Sequence, residues 1–135
     1  MILIDTNVLV DVVDEREPFT EASTRFLDLI SARVEPACVA WHTISNLHYV
    51  ARPNPDGPDI LTFIEDLANL VTVVPTTNSD LLRALRLPMR DFEDAMQVTA
   101  AMAADARLIV TRNLNHFRNS PNRAVSPEDA IAELS

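Results

Sequence analysis

Three short polar clusters sit where side chains of their types could do chemistry. Asp5 follows an apolar triplet in Ile4-Asp5-Thr6-Asn7; Asp91, Glu93 and Asp94 open a long amphipathic segment; and Asn113 follows another apolar run in Thr111-Arg112-Asn113. Each has an ordinary structural use, because a carboxylate or amide at the end of a strand caps the helix or turn that follows. Acids in a first helical turn also suit the helix dipole. Capping needs only one carboxylate, however, and Asp91, Glu93 and Asp94 repel one another, so the excess points to a cation. Oxygen-only ligands suit a hard ion, Mg2+ or Mn2+, rather than zinc. Such an ion stabilises charge and activates water at a phosphodiester.

The elements that must position these groups follow from hydrophobic periodicity. Ile2 to Ile4, Ala37 to Ala40, Val71 to Val74 and Leu108 to Thr111 are apolar runs of buried-strand length, and a short last strand falls near Ala124 and Val125. Between them, helical spacing recurs at Ala22, Phe26, Leu29 and Ile30, at Ile60, Phe63, Ile64 and Leu67, and at Leu81, Leu82 and Leu85. The clearest helix carries Phe92, Ala95, Met96, Thr99, Met102 and Ala103, and Ser126 with Pro127 starts a closing one. Strands so far apart cannot form hairpins, so they pair in parallel through right-handed crossovers. The expected fold is a three-layer α/β/α sandwich around a mostly parallel sheet of four or five strands, one domain over residues 1–135. Ligands in such sheets bind outside the carboxyl ends of the strands, where Asp5 and Asn113 fall. With Gly57 as the only glycine, turns pass to Pro, Asn and Asp, most clearly over Pro53 to Pro58 and at Leu87-Pro88-Met89.

Composition narrows the classes. A chain of 135 residues, 47% hydrophobic and 23% charged, has the balance of one ordinary globular domain. No run approaches a membrane span and Asp5 interrupts the start too early for a secretory signal, so no membrane and a cytoplasmic address are expected. Cys38, the lone cysteine, excludes an internal disulfide or a cysteine zinc cage and reads as core. A net charge of −9 argues against a broad basic surface for nucleic acid, yet all 11 basic residues are arginine, suited to bidentate phosphate contacts. Four of them, Arg107, Arg112, Arg118 and Arg123, fall in an acid-free stretch. The absence of lysine sets aside a response-regulator-like phosphoacceptor. His42 and His48, six apart, lack the spacing of a shared metal and read as surface or boundary residues. Trp41 and Tyr49 are expected in the core or at an interface.

Three motifs in order then carry a resemblance: Ile4-Asp5-Thr6-Asn7-Val8-Leu9; Asp91-Phe92-Glu93-Asp94-Ala95-Met96-Gln97; and Ile109-Val110-Thr111-Arg112-Asn113 with Phe117. The chain resembles a PIN domain, the small α/β nuclease fold best known as the toxin of VapBC-type toxin-antitoxin pairs, from residue 2 to about 130. The resemblance implies a metal-dependent ribonuclease using Mg2+ or Mn2+, with Asp5 and Asp94 as metal-binding carboxylates and Asp91 and Glu93 beside them, Asp91 as a further ligand. Thr6, Asn7, Thr111 and Asn113 would surround the metal, and Thr6, Asn7, Thr111 and Arg112 would meet the RNA, with the arginines from Arg107 to Arg123 along its backbone. It also implies an antitoxin partner and a homodimer. Two positions depart from the pattern: Asn46 stands where many PIN domains carry a glutamate, and His116 stands where an acid precedes Phe117. Asn46 can still offer a carbonyl oxygen and His116 a proton donor, so both remain candidate catalytic groups with Asp5, Asp94 and Asn113. The other reading is a degenerate, non-catalytic PIN-like module that binds protein or RNA.

Overall fold

A computed structural model describes residues 1–51 and 59–135; the turn expected over Pro53 to Pro58 lies outside the described residues. Strands β1 (Ile2–Ile4), β2 (Ala37–Ala40), β3 (Thr72–Val74), β4 (Leu108–Val110) and β5 (Ala124–Val125) form one sheet in the order β3-β2-β1-β4-β5, every pair parallel. Helices α1 (Thr6–Val13), α2 (Thr20–Ser31), α3 (Trp41–Val50), α4 (Ile60–Leu70), α5 (Asn78–Arg86) and α6 (Phe92–Ala103) lie in the connections between strands, a 3-10 turn covers Leu114–Phe117 between β4 and β5, and α7 (Pro127–Leu134) closes the chain. The expected sandwich is present. Only strand ends differ, by single residues at Val71 and Thr111.

Side-chain alternation splits the sheet into two cores. Ile2, Ile4, Val39, Leu108 and Val110 point to one face and pack with Val8, Phe26, Ile30 and Leu67 of α1, α2 and α4. Leu3, Cys38 and Ile109 point to the other and pack with Val98, Ala100 and Ala101 of α6. Each fully buried large apolar side chain contributes about 1.5–3 kcal/mol. Cys38 is core as expected, with burial pushing its thiol up to about 11. Among the described residues no helix is long and apolar enough to cross a membrane.

Burial sorts the remaining apolar side chains. Trp41 and Tyr49 are 69% and 89% exposed, so of the two places expected for them the core of this chain is excluded and an interface is left. Helix α5 forms where the leucine spacing places it, yet Leu81, Leu82 and Leu85 are exposed and Ala84 is its buried residue. The reason is layering: α6 lies between the sheet and α5, so α6 is buried nearly all round from Asp94 to Ala101 and α5 is the outer helix.

The strand order puts a topological switch beside β1. From β1 the chain builds outward to β2 and β3, then returns across the other face through α5 and α6 to β4 on β1's opposite side. Helices that leave β1 and β4 therefore diverge, opening a crevice at the carboxyl ends of these two strands. Asp5 follows β1 there and Thr111 follows β4.

Candidate metal centre

Asp5 is buried, and its backbone is extended, with φ −72° and ψ 151°, which makes it the N-cap of α1. Its Oδ1 accepts from the Thr6 amide at 2.8 Å; its Oδ2 accepts from the Thr111 hydroxyl at 2.8 Å and from Asn7 Nδ2 at 3.3 Å. The capping use and the chemical use thus fall on one side chain. Thr111, just past β4, and two residues of α1 hold it in a single orientation.

Helix α6 brings the other carboxylates. Asp91 is its N-cap, accepting from the Asp94 amide at 3.0 Å, which sets the helix direction so that Glu93 and Asp94 turn toward Asp5. One oxygen from each of Asp5, Glu93 and Asp94 lies within 4.8 Å of the others. Among the described residues this is where acids converge, and Asp91, expected as a ligand, stands outside it because its carboxylate is turned back onto its own helix. Glu93, expected only as a neighbour, stands within it.

A polar lattice fixes Glu93. Its Oε1 accepts from Gln97 Nε2 at 2.9 Å and lies 2.9 Å from His42 Nε2. Gln97, fully buried one turn further along α6, also reaches the hydroxyls of Thr43 at 2.9 Å and Thr6 at 3.2 Å, and these two hydroxyls bond at 3.0 Å. Helices α1, α3 and α6 are thereby tied beneath the carboxylates. The Gln97 Oε1 atom is buried with no partner among the described residues. Sequence reasoning gave Gln97, Thr43 and His42 no part in the site, although the four-residue spacing of Glu93 and Gln97 is the spacing at which helical side chains meet.

The electrostatics follow from this crowding. Burial, then the charge of Glu93, raises Asp5 to about 7, against the opposing bond from Thr111. Burial, then Asp91 and Glu93, raises Asp94 to about 6, with His116 opposing. Burial also works upward on Glu93, but the bonds from His42 and Gln97 outweigh it and hold that carboxyl below its ordinary value. Such a group of acids, crowded and partly dehydrated, is under-compensated by the protein itself. A divalent cation with oxygen ligands would relieve it.

The remaining expected residues divide. Thr6, Asn7, Asn46 and Asn113 line a cavity of about 260 Å3 together with the three carboxylates. Thr111 is fully buried, with its hydroxyl given to Asp5 and accepting from the Asn113 amide at 3.1 Å, so it orients Asp5 and has no surface for substrate. His116 is exposed at the edge, with Nδ1 3.0 Å from Asp94 Oδ2. Arg112 does not face the site: its guanidinium forks onto the fully buried Asp11 at 2.8 and 3.1 Å and stacks on Phe19 at 4.1 Å.

The expected backbone contacts of Arg107 and Arg123 are also corrected. Arg107 holds Glu35 bidentately, at 2.6 Å for the shortest bond, and Arg123 pairs with Glu133. Both arginines immediately precede strands, Arg107 before β4 and Arg123 before β5, so they stand at the end of the sheet opposite Asp5. There they tie the strand starts to α7 and, through Glu35, to the terminal amine of Met1 at 3.1 Å.

Comparison with known proteins agrees with this architecture. A family model described as PIN domain matches residues 1–115. The chain is 23% identical to Ribonuclease VapC1 of Aquifex aeolicus (strain VF5) over 137 residues, covering 98% of this chain and 93% of that protein. Among solved structures it is similar to VapBC2 from Rickettsia felis bound to a DNA fragment from their promoter, with a TM-score of 0.70, 15% identity, and 93% and 98% of the two chains covered. It is also similar to FitAcB from Neisseria gonorrhoeae, with a TM-score of 0.65, 18% identity, and 95% and 99% covered.

Proposed function

The chain belongs to the PIN domain family, and from that premise we propose that it is a divalent-metal-dependent endoribonuclease of the cytoplasm, the toxin of a toxin-antitoxin pair. The observation that carries this reading is the convergence of Asp5, Glu93 and Asp94 within 4.8 Å at the carboxyl end of the sheet. The donor set fits Mg2+ or Mn2+: three carboxylates, with the amides Asn46 and Asn113 on the same cavity wall. When bound, the ion would supply positive charge against the charge developing on a phosphodiester and lower the pKa of water.

The protein's own groups have separate tasks. Thr111 and the Thr6 amide hold Asp5, and Gln97 with His42 holds Glu93, so that the ligands need little reorganisation. Thr6, Asn7 and Asn113 offer polar contacts to the RNA from the cavity wall. His116, at the edge, is the proton donor for the leaving oxygen. Glu93 makes up for the acid that Asn46 lacks.

The relative's name, ribonuclease, supports the activity, and the likeness of this chain to VapBC2 supports an antitoxin as partner. A basic segment of that partner suits a face with three clustered acids. A homodimer completes the reading, and the exposed apolar side chains of Trp41 and Leu81, which border one hollow between α3 and α5, offer surface for it. The second reading, a non-catalytic binding module, is favoured by one observation: the His116 imidazole rests on a carboxylate the metal would use.

Cleavage of a mixed single-stranded RNA by purified protein, free of any bound antitoxin, separates the two. Activity in Mn2+ or Mg2+ that EDTA abolishes and that Asp5→Asn, Asp94→Asn and Glu93→Gln each remove is the expected result. Folded protein that cuts nothing at any metal concentration would favour the binding module.

A further inference from the structure

Beside the carboxylates lies a larger cleft, about 630 Å3, between the residues that lead into α6 and the 3-10 turn after β4. Arg90 and Asp91 line one wall; Asn115, His116, Arg118 and Asn119 line the other. It adjoins the metal centre at two points. His116 touches Asp94 at 3.0 Å, and Asp91 caps the Asp94 amide at 3.0 Å. A polymer seated on the carboxylates therefore has this cleft as its adjoining stretch.

Charge and position together set this cleft apart: Arg83 and Arg86, also without an ion pair among the described residues, line a separate cavity of about 330 Å3 that none of the clustered carboxylates borders. Arg107, Arg112 and Arg123 are spent on Glu35, Asp11 and Glu133. Arg90 and Arg118 form no ion pair among the described residues, and Arg118 donates only to the amide oxygen of Asn115, at 3.1 Å. A guanidinium left without a carboxylate keeps its fork of donors for an oxyanion. Asp91 is the opposing charge, and one of its oxygens is committed to the cap. In a chain of net charge −9, two uncommitted arginines facing one cleft beside the metal centre form a local site for phosphate. Asn115 and Asn119 add amides of the kind that read base edges, and the volume is that of a site for a nucleotide-sized ligand.

We propose that this cleft carries the single-stranded RNA flanking the scissile bond, with Arg90 and Arg118 holding its phosphates. The proposal rests on the nuclease reading for its substrate. An acidic peptide shares the chemistry of the arginines but makes no use of the asparagine amides or of a neighbouring phosphodiester site.

The test uses the full chain carrying Asp5→Asn, so that RNA is not cut, and follows the anisotropy of a fluorescein-labelled mixed-sequence oligoribonucleotide at several salt concentrations. In that background Arg90→Ala/Arg118→Ala is expected to weaken binding at least about tenfold, as for loss of charge-assisted bonds. The slope of log affinity against log salt should fall by roughly 0.7 for each arginine that meets a phosphate. Arg25→Ala/Arg83→Ala, which removes equal charge elsewhere, should leave both unchanged, and Arg90→Lys/Arg118→Lys should restore much of the affinity. Equal loss from the two alanine pairs, or no loss from the cleft pair, overturns the proposal. So does competition by oligoglutamate as effective as that by unlabelled RNA. Metal-dependent cleavage by protein with Asp5 intact is measured alongside: if it persists while the cleft pair binds RNA normally, the cleft assignment fails and the nuclease reading stands.

Discussion

His116 Nδ1 lies 3.0 Å from Asp94 Oδ2, so an imidazole stands against one of the clustered carboxylates where the PIN pattern carries an acid. Replacing it with a carboxylate tests whether that edge belongs to the metal centre, because ligand charge tunes the affinity of oxygen sites over orders of magnitude. His116→Asp is expected to lower the half-saturating Mn2+ concentration by about tenfold in calorimetric titration at pH 8. It should also lower the melting temperature of the metal-free protein, since a further anion joins Asp5, Glu93 and Asp94. Unchanged Mn2+ affinity would put His116 outside the ligand sphere.

The raised carboxyls make stability depend on pH in a defined direction. A carboxyl whose folded pKa is raised contributes fully below its unfolded value, and the contribution is lost as pH rises through the folded value. For Asp5 that window runs from 3.8 to about 7, and for Asp94 from 3.8 to about 6. Glu93, held low by His42 and Gln97 against burial, contributes in the opposite sense, above its unfolded value and lost as pH falls. The two raised groups dominate, so in EDTA the protein should melt at a lower temperature at pH 8 than at pH 5.5, and Asp5→Asn should flatten the difference. Metal reverses the trend, because ligands must be deprotonated. The rise in melting temperature on adding Mn2+ should be larger at pH 8.

Gln97 bridges Glu93, Thr43 and Thr6 from a fully buried position. Gln97→Ala removes three bonds at once and leaves buried hydroxyls to find other partners, a loss of about 1–3 kcal/mol in urea unfolding. Stability alone would not separate packing from positioning. Gln97→Met, which keeps the volume without the amide, is expected to recover part of the stability while Mn2+ affinity stays reduced, because Glu93 is no longer held. Full recovery of both would reduce Gln97 to packing.

Much of this architecture is legible in the residues themselves. Short apolar runs too far apart for hairpins imply a parallel sheet, and parity along Ile2, Leu3 and Ile4 already divides its two faces. Asp5 and Asn113 fall at the cavity because strand ends are readable. Which of Asp91, Glu93 and Asp94 turns inward is not readable, since only the cap geometry at Asp91 sets the start of α6 and hence the direction of the next two side chains. The exposed leucines of α5 mislead for a related reason: helical spacing reports an apolar face but not whether this chain covers it. The orientation of Arg107 and Arg123 follows from the strand assignments, since a residue just before a parallel strand lies at the end away from the site.

Arg112 tests that distinction between charge in the sequence and charge at the site. It follows Thr111 within a motif of the site, yet its guanidinium is bound by Asp11, whose side chain has no exposure, and is covered by Phe19. Arg112→Ala would leave Asp11 buried and unpaired, a loss of about 3–5 kcal/mol for breaking a buried pair by removing one partner. Asp11→Leu/Arg112→Met removes both charges and is expected to be much nearer wild type in urea unfolding, because no unpaired ion remains. The double variant should also cut RNA with nearly wild-type KM at permissive temperature, whereas a substrate-binding arginine would raise KM in both variants alike. A double variant as unstable as the single one would mean that the position contributes through packing on Phe19 rather than through its charge.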